Sequence, residues 1–266
     1  MRETEHTLPA RRRPARAART LRTLLLPGLG GSTAVWAPFL ALAPRDLDVR
    51  QADVPWTGGG DGRWSHHPDP VRWVVRAARR AGAPVDLLIA HSFAATLALD
   101  LPGRAAGVRP AAFILVSPFY RPAASDFDWA TMAYYLEGFH RILDEGLRIG
   151  GVRPGSAELR GPMALRVQER IGPYGWMRFF DAYLRTPFQD VSAIRVPTLV
   201  VTGERDIAAR PDDARALAAA LPAGRLEVLE GCGHFAMAER PDRFAQIVDD
   251  FLRTALPAHR TDPESP

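Results

Sequence analysis

The run from Val85 to Leu99, VDLLIAHSFAATLAL, constrains this chain more than any other stretch. Val85-Asp86-Leu87-Leu88-Ile89-Ala90 is an apolar segment of strand length, set off by the breaker pair Ala83-Pro84. From Ser92 the pattern turns helical, with Ala94, Ala95, Leu97, Ala98 and Leu99 uninterrupted until Pro102. A serine therefore stands where a buried strand hands over to a helix. Ala90-His91-Ser92-Phe93-Ala94 is a variant of G-x-S-x-G, the pattern in which a tight turn lifts Oγ clear of a sheet. The helix behind it would aim its first backbone N–H groups at a developing oxyanion. An ordinary helix N-cap suits the same position, so the pentapeptide alone leaves both readings open.

Composition narrows the classes. The chain has 266 residues, 47% of them apolar, enough for one domain with an insertion. Its single cysteine, Cys232, excludes a disulfide framework and points to a reducing, cytoplasmic setting. All 34 basic residues are arginine, which excludes lysine Schiff-base chemistry and a Walker A phosphate loop. Six of those arginines lie in residues 1–20 against only Glu3 and Glu5, so this segment carries the whole net charge of +4. A neutral body predicts no nucleic-acid partner. The Arg-rich segment 1–20 and the last residues, 257–266, read as disordered tails. Leu24-Leu25-Leu26 is too short for a signal-peptide core, and no run nears membrane-spanning length, so no membrane partner is expected.

Taken in order, Leu21–Leu26 is a strand that runs into Pro27-Gly28-Leu29-Gly30-Gly31-Ser32. The glycines miss the dinucleotide fingerprint because Thr33 stands where its last glycine belongs. They suit a turn whose N–H groups approach a reacting oxygen. Ser32 caps a helix through Trp36 to Ala43, a strand covers Leu47–Val54, and Val71–Ala81 is helical. His66 and His67 in the intervening loop are adjacent, which is not a metal-ligand spacing. Ala111–Ser117 is another buried strand. Residues 119–190 contain no strand-length apolar run but hold helical segments at Trp129–Ile149 and Tyr174–Tyr183, with all five tyrosines and 13 of the 23 aromatic residues. Large rings can supply the core of such short helices or line a pocket beneath them. Strand–helix alternation resumes at Val196–Thr202, followed by Gly203-Glu204-Arg205-Asp206, a helix over Pro211–Leu221, and a strand over Arg225–Leu229. Glu230-Gly231-Cys232-Gly233-His234-Phe235 and an amphipathic helix over Pro241–Leu256 close the chain. This alternation predicts an α/β fold, a doubly wound, mostly parallel sheet of about six strands.

Parallel sheets bind ligands beyond the carboxyl ends of their strands. Gly28-Leu29, Ser92, Asp206 and His234 all fall there, in the chain order Ser…Asp…His of an acyl-transfer triad. On these residues, quoted as LLLPGLGGS at 24–32, IAHSFAA at 89–95, PTLVVTGERD at 197–206 and EGCGHFAMAERPDRF at 230–244, the chain resembles the α/β-hydrolase fold family over 21–256. The resemblance implies Ser92 as nucleophile, Asp206 as acid and His234 as base, with the N–H groups of Leu29 and Phe93 as oxyanion hole. Glu204 and Asp126 are the alternative acids. It also implies a helical cap at 119–190 between core segments 21–118 and 191–256. The sequence departs from the family at Pro27, where a histidine usually stands, at Ala90 and Ala94, and in lacking an opening hairpin.

These features lead us to expect a serine hydrolase acting on a carboxylic ester of an apolar or aromatic small molecule, without metal or organic cofactor. The expected pocket lines are Trp129, Tyr134, Trp176 and Phe180 in the aromatic segment. Serine at the elbow argues against the dehalogenase and epoxide-hydrolase branches. Thioester or C–C cleavage, acyl transfer to another acceptor, and a non-catalytic small-molecule receptor on the same fold stay open, as does the oligomeric state.

Overall fold

The computed structural model describes residues 20–257, apart from 58, 59, 61, 83, 105–107 and 150–156. The expected tails at 1–20 and 257–266 lie almost wholly outside the described residues. Six strands form one sheet: β1 (Leu21–Leu26), β2 (Leu47–Gln51), β3 (Leu87–His91), β4 (Ala112–Val116), β5 (Thr198–Gly203) and β6 (Gly224–Leu229). Their order is β2-β1-β3-β4-β5-β6, and every pair is parallel. Of the four inner strands, β3, β4 and β5 are buried along their whole length, which is why their sequences LLIAH, AFILV and TLVVTG show no polar alternation. β2, at the edge, alternates exposed Asp48 and Arg50 with half-buried Leu47 and Val49 and stops at Gln51. The expected strand to Val54 is therefore too long.

Helices cover the sheet. Near the first strand they are α1 (Ala37–Leu40), preceded by a 3₁₀ turn over Thr33–Trp36, and α2 (Val71–Arg80). The turn, not a helix to Ala43, is what Ser32 caps, its Oγ accepting from the Ala34 N–H at 3.2 Å. After β3 come α3 (Phe93–Ala98) and the short α4 (Leu101–Arg104). Between β4 and β5 the described residues form helices and loops but no strand, with α5 (Trp129–Ile149) and α6 (Ala157–Leu184) as the long elements. Gly172, at φ 64°, breaks α6 in two, and Pro173 restarts it. The remaining helices are α7 (Pro211–Ala220), α8 (Ala236–Glu239) and α9 (Pro241–Ala255). α9 buries Phe244, Ile247, Val248, Phe251 and Leu252, the stripe its period predicts.

The chain leaves β1 toward β2 on one side and returns to β3 on the other. The crevice between the ends of β1 and β3 is thus the topological switch point, where doubly wound sheets hold ligands. Among the described residues no helix is long and apolar enough to cross a membrane.

Candidate active site

Each side chain of the site stands on a turn that its strand forces. β3 ends at His91, and Ser92 takes φ 57°, ψ −126°, a conformation that L residues rarely adopt, before α3 begins at Phe93. The strain is held in place from both sides. The Ser92 N–H donates to Val116 O at 2.8 Å, and Thr96 Oγ1 engages the Phe119 backbone at 3.0 Å. Ala90 and Ala94 are fully buried, so small residues suffice where the family pattern has glycine. Gly28 has no such latitude. A Cβ there would stand 2.8 Å from Ser92 Cβ and 3.1 Å from His91 Nδ1, so the β1 turn passes directly over the serine.

His234, buried at 1% exposure, lies with Nε2 2.9 Å from Ser92 Oγ. Its Nδ1 is 3.0 Å from each carboxylate oxygen of Asp206. A carboxylate only accepts, so Nδ1 carries the proton and Nε2 is free to accept one from the serine hydroxyl. Burial would raise the Asp206 carboxyl, but the charge and hydrogen bond of His234, then the Ala209 N–H, outweigh it and hold the group below the usual carboxylate range. The alternative acids do not face the histidine. Exposed Glu204 accepts from the Gly231 N–H at 3.0 Å, and half-buried Asp126 from the Ala123 N–H at 3.1 Å.

Leu29 lines the crevice above Ser92, and Phe93 follows the serine at the start of α3. The neighbouring N–H groups in the β1 turn are taken, Gly30 by Trp56 O at 2.8 Å and Gly31 by Gly28 O at 3.1 Å. Neither Leu29 nor Phe93 donates its N–H to a backbone carbonyl among the described residues. Both are open donors.

Three supporting residues carry roles that the sequence reading did not assign. Trp56 donates its Nε1–H to Pro27 O at 2.9 Å and its carbonyl accepts from the Gly30 N–H, bracketing the β1 turn in which Pro27 stands where the family usually has a histidine. His91 lies under His234, its Nε2–H donating to His234 O at 2.9 Å. Burial, then the charge of His234, pushes it down to about 3, so it stays neutral at working pH. Glu239 accepts from the N–H groups on either side of His234, Gly233 at 2.9 Å and Phe235 at 3.0 Å. The sequence signals were a tryptophan just after Pro55 in the loop that follows β2, a titratable residue inside the elbow, and a carboxylate five residues beyond His234.

A cavity of about 120 Å³ opens on Ser92. The β1 turn walls one side, and α5 the other with Phe139, Ile142, Leu143, Gly146 and Leu147, joined by Val167 of α6. The four aromatic residues expected there lie elsewhere. Trp129 is 87% exposed at the start of α5, and Tyr134 points to Ile207 O. Trp176 packs edge-on behind Phe139 at 4.5 Å, and Phe180 is buried against Trp176 and Phe179. The rings of this region pack on one another: Phe119, Tyr135, Phe179 and Tyr183 form a continuous edge-to-face cluster. The aromatics are the cap's core; the pocket wall is largely aliphatic.

Comparison with known proteins agrees with this architecture. Residues 23–247 match the alpha/beta hydrolase family. A monoacylglycerol lipase, ABHD6 of Mus musculus, is 35% identical over 74 residues, 28% of this chain and 21% of that protein. The chain thus aligns with only about a fifth of the length of that curated relative. Among solved structures, a bacterial membrane phospholipase A superposes with TM-score 0.67 at 21% identity, covering 89% of this chain and 79% of that one. Est816, described as an N-acyl homoserine lactone degrading enzyme, gives 0.57 at 21% identity, covering 87% and 93%. At such identity these structures speak for the fold. On the match over most of its length, with the six-stranded parallel sheet and the helical insertion, this chain belongs to the alpha/beta hydrolase family.

Proposed function

We propose that the protein is a serine hydrolase that cleaves carboxylic esters of small, uncharged molecules through an acyl-enzyme on Ser92. One observation carries the reading: Ser92 Oγ, His234 and Asp206 form an unbroken hydrogen-bonded line at the floor of an apolar cavity. His234 Nε2 takes the Ser92 proton as Oγ attacks the carbonyl carbon, and the charge on the carbonyl oxygen moves toward the Leu29 and Phe93 N–H groups. The tetrahedral species collapses as the C–O bond breaks, and the alcohol leaves with the proton from His234. Water, deprotonated by the same nitrogen, then attacks the acyl carbon. The second tetrahedral species expels Ser92 Oγ, which takes back the proton, and the acid is released. The relatives' names, a lipase, a phospholipase and a lactone-degrading enzyme, are consistent with acyl chemistry.

Cavity size and lining support a substrate class. A cavity of about 150 Å³ takes up a benzene molecule, so about 120 Å³ accommodates a group of roughly six carbons or fewer. Its deep wall of Ile142, Leu143, Leu147 and Val167 offers no partner to a charge. Long fatty acyl chains require the cap to move. A p-nitrophenyl ester series from acetate to decanoate should show kcat/KM rising to about four to six carbons and then falling. A rate that climbs steadily to decanoate would overturn the size argument, and no turnover of any ester would favour the receptor.

A further inference from the structure

We propose that Tyr135, with Tyr134 beside it, is a positioning residue for the acid of the triad: the helix that walls the pocket also aims the N–H groups that hold Asp206. The inference rests on reading Ser92, His234 and Asp206 as a working triad. Tyr135 is buried on α5, and its hydroxyl donates to Ala208 O at 2.6 Å. The neighbouring Tyr134 hydroxyl donates to Ile207 O, also at 2.6 Å. These two carbonyls belong to the peptide units that follow Asp206. The N–H groups of those same units, on Ala208 and Ala209, both donate to Asp206 Oδ1, at 2.8 and 2.9 Å.

A peptide unit is planar and trans, so fixing its oxygen fixes the direction of its N–H. Each tyrosine therefore grips one end of a rigid unit whose other end grips the carboxylate. Hydrogen bonds linked through a peptide also polarise one another, which strengthens the N–H as a donor. Tyr135 is itself held by Phe119 and Tyr183, at ring distances of 5.7 and 5.5 Å. Burial, the largest influence, raises its phenol, so it stays a neutral donor. One turn further along α5, Phe139 faces the cavity. Pocket wall and acid loop thus share one helix.

The test compares Tyr135→Phe, Tyr134→Phe and Tyr183→Phe in p-nitrophenyl acetate hydrolysis, with kcat/KM followed against pH and melting recorded alongside. Tyr183 accepts from Arg121 Nε at 3.0 Å and lies 3.5 Å from the Tyr135 hydroxyl, but makes no bond to the acid loop among the described residues, so it reports on the cap core and on any indirect effect passed through Tyr135. Tyr135→Phe should lower kcat about tenfold at nearly unchanged KM. It should also move the acid limb of the profile to lower pH by about half a unit, because a loosened Asp206 stabilises protonated His234 less. Tyr134→Phe should do the same in smaller measure, and its half-exposed ring keeps that test available if Tyr135→Phe does not fold. Tyr183→Phe should lower the melting temperature and leave the limb in place. Equal melting losses for Tyr135→Phe and Tyr183→Phe with neither limb moved would reduce Tyr135 to packing and overturn the inference; so would an unmoved limb in Tyr134→Phe if that variant alone folds. A parent protein that no fluorophosphonate labels at Ser92 would sink the triad reading itself, whereas a labelled parent with unmoved limbs sinks only this one.

Discussion

The loops at the carboxyl ends of the sheet and the helices above them are organised in different ways. In the loops, position along the chain decides what a residue does: Ser92, Asp206 and His234 each follow a strand, and parallel strands end on the same side. In the cap, packing decides. Its most conspicuous residues, the rings, turn toward one another, and the aliphatic face of α5 is left to line the cavity. Chemistry is therefore written locally and specificity is not. Substitutions in the two regions should fail differently.

The largest expected effect is at the nucleophile. Ser92→Ala should cost up to about a millionfold in kcat on every ester, with melting nearly unchanged, since one hydroxyl is lost. An appreciable residual rate would remove the loops from the chemistry altogether. Asp206→Asn keeps the shape but offers an amide where His234 needs an acceptor, so kcat should fall about ten-thousandfold, again alike on all esters.

In the cap the signature should be selective. Leu143→Ala enlarges the cavity at its aliphatic wall and should move the preferred acyl length upward, improving octanoate relative to butanoate by about tenfold. An unchanged ratio would mean that the acyl chain lies elsewhere. The smallest effect on preference should come from Trp176→Ala. That ring supports Phe139 from behind and does not line the cavity, so the variant should lower melting by several degrees, for a loss of about 2–3 kcal/mol, and slow short and long esters alike. Selective loss of long esters would put Trp176 in the pocket after all.

Much of the core was legible in the sequence because its signals are local. Leu87–His91 and Thr198–Gly203 are continuous apolar runs bounded by breakers, and the strand count follows from them. The meeting of Ser92, Asp206 and His234 needed only the extra fact of parallel order. The pocket was legible in principle, since Phe139, Ile142, Leu143, Gly146 and Leu147 recur at helical spacing on one face of α5. Aromatic content drew the reading to Trp129, Tyr134, Trp176 and Phe180 instead, although ring size says nothing about direction. Trp56, His91 and Glu239 were hidden for another reason. Each acts on backbone atoms distant in the chain or at a turn, such as Trp56 on Pro27 O, and a hydrogen bond to a carbonyl leaves no pattern in residue types.

The measurement that bears most directly on the account is fluorophosphonate labelling of the intact protein followed by peptide mapping. The geometry predicts one phosphonyl group per chain, on the peptide containing Ser92, absent in Ser92→Ala and much slower in Asp206→Asn. Labelling at another serine, or none while the protein still cleaves esters, would contradict it.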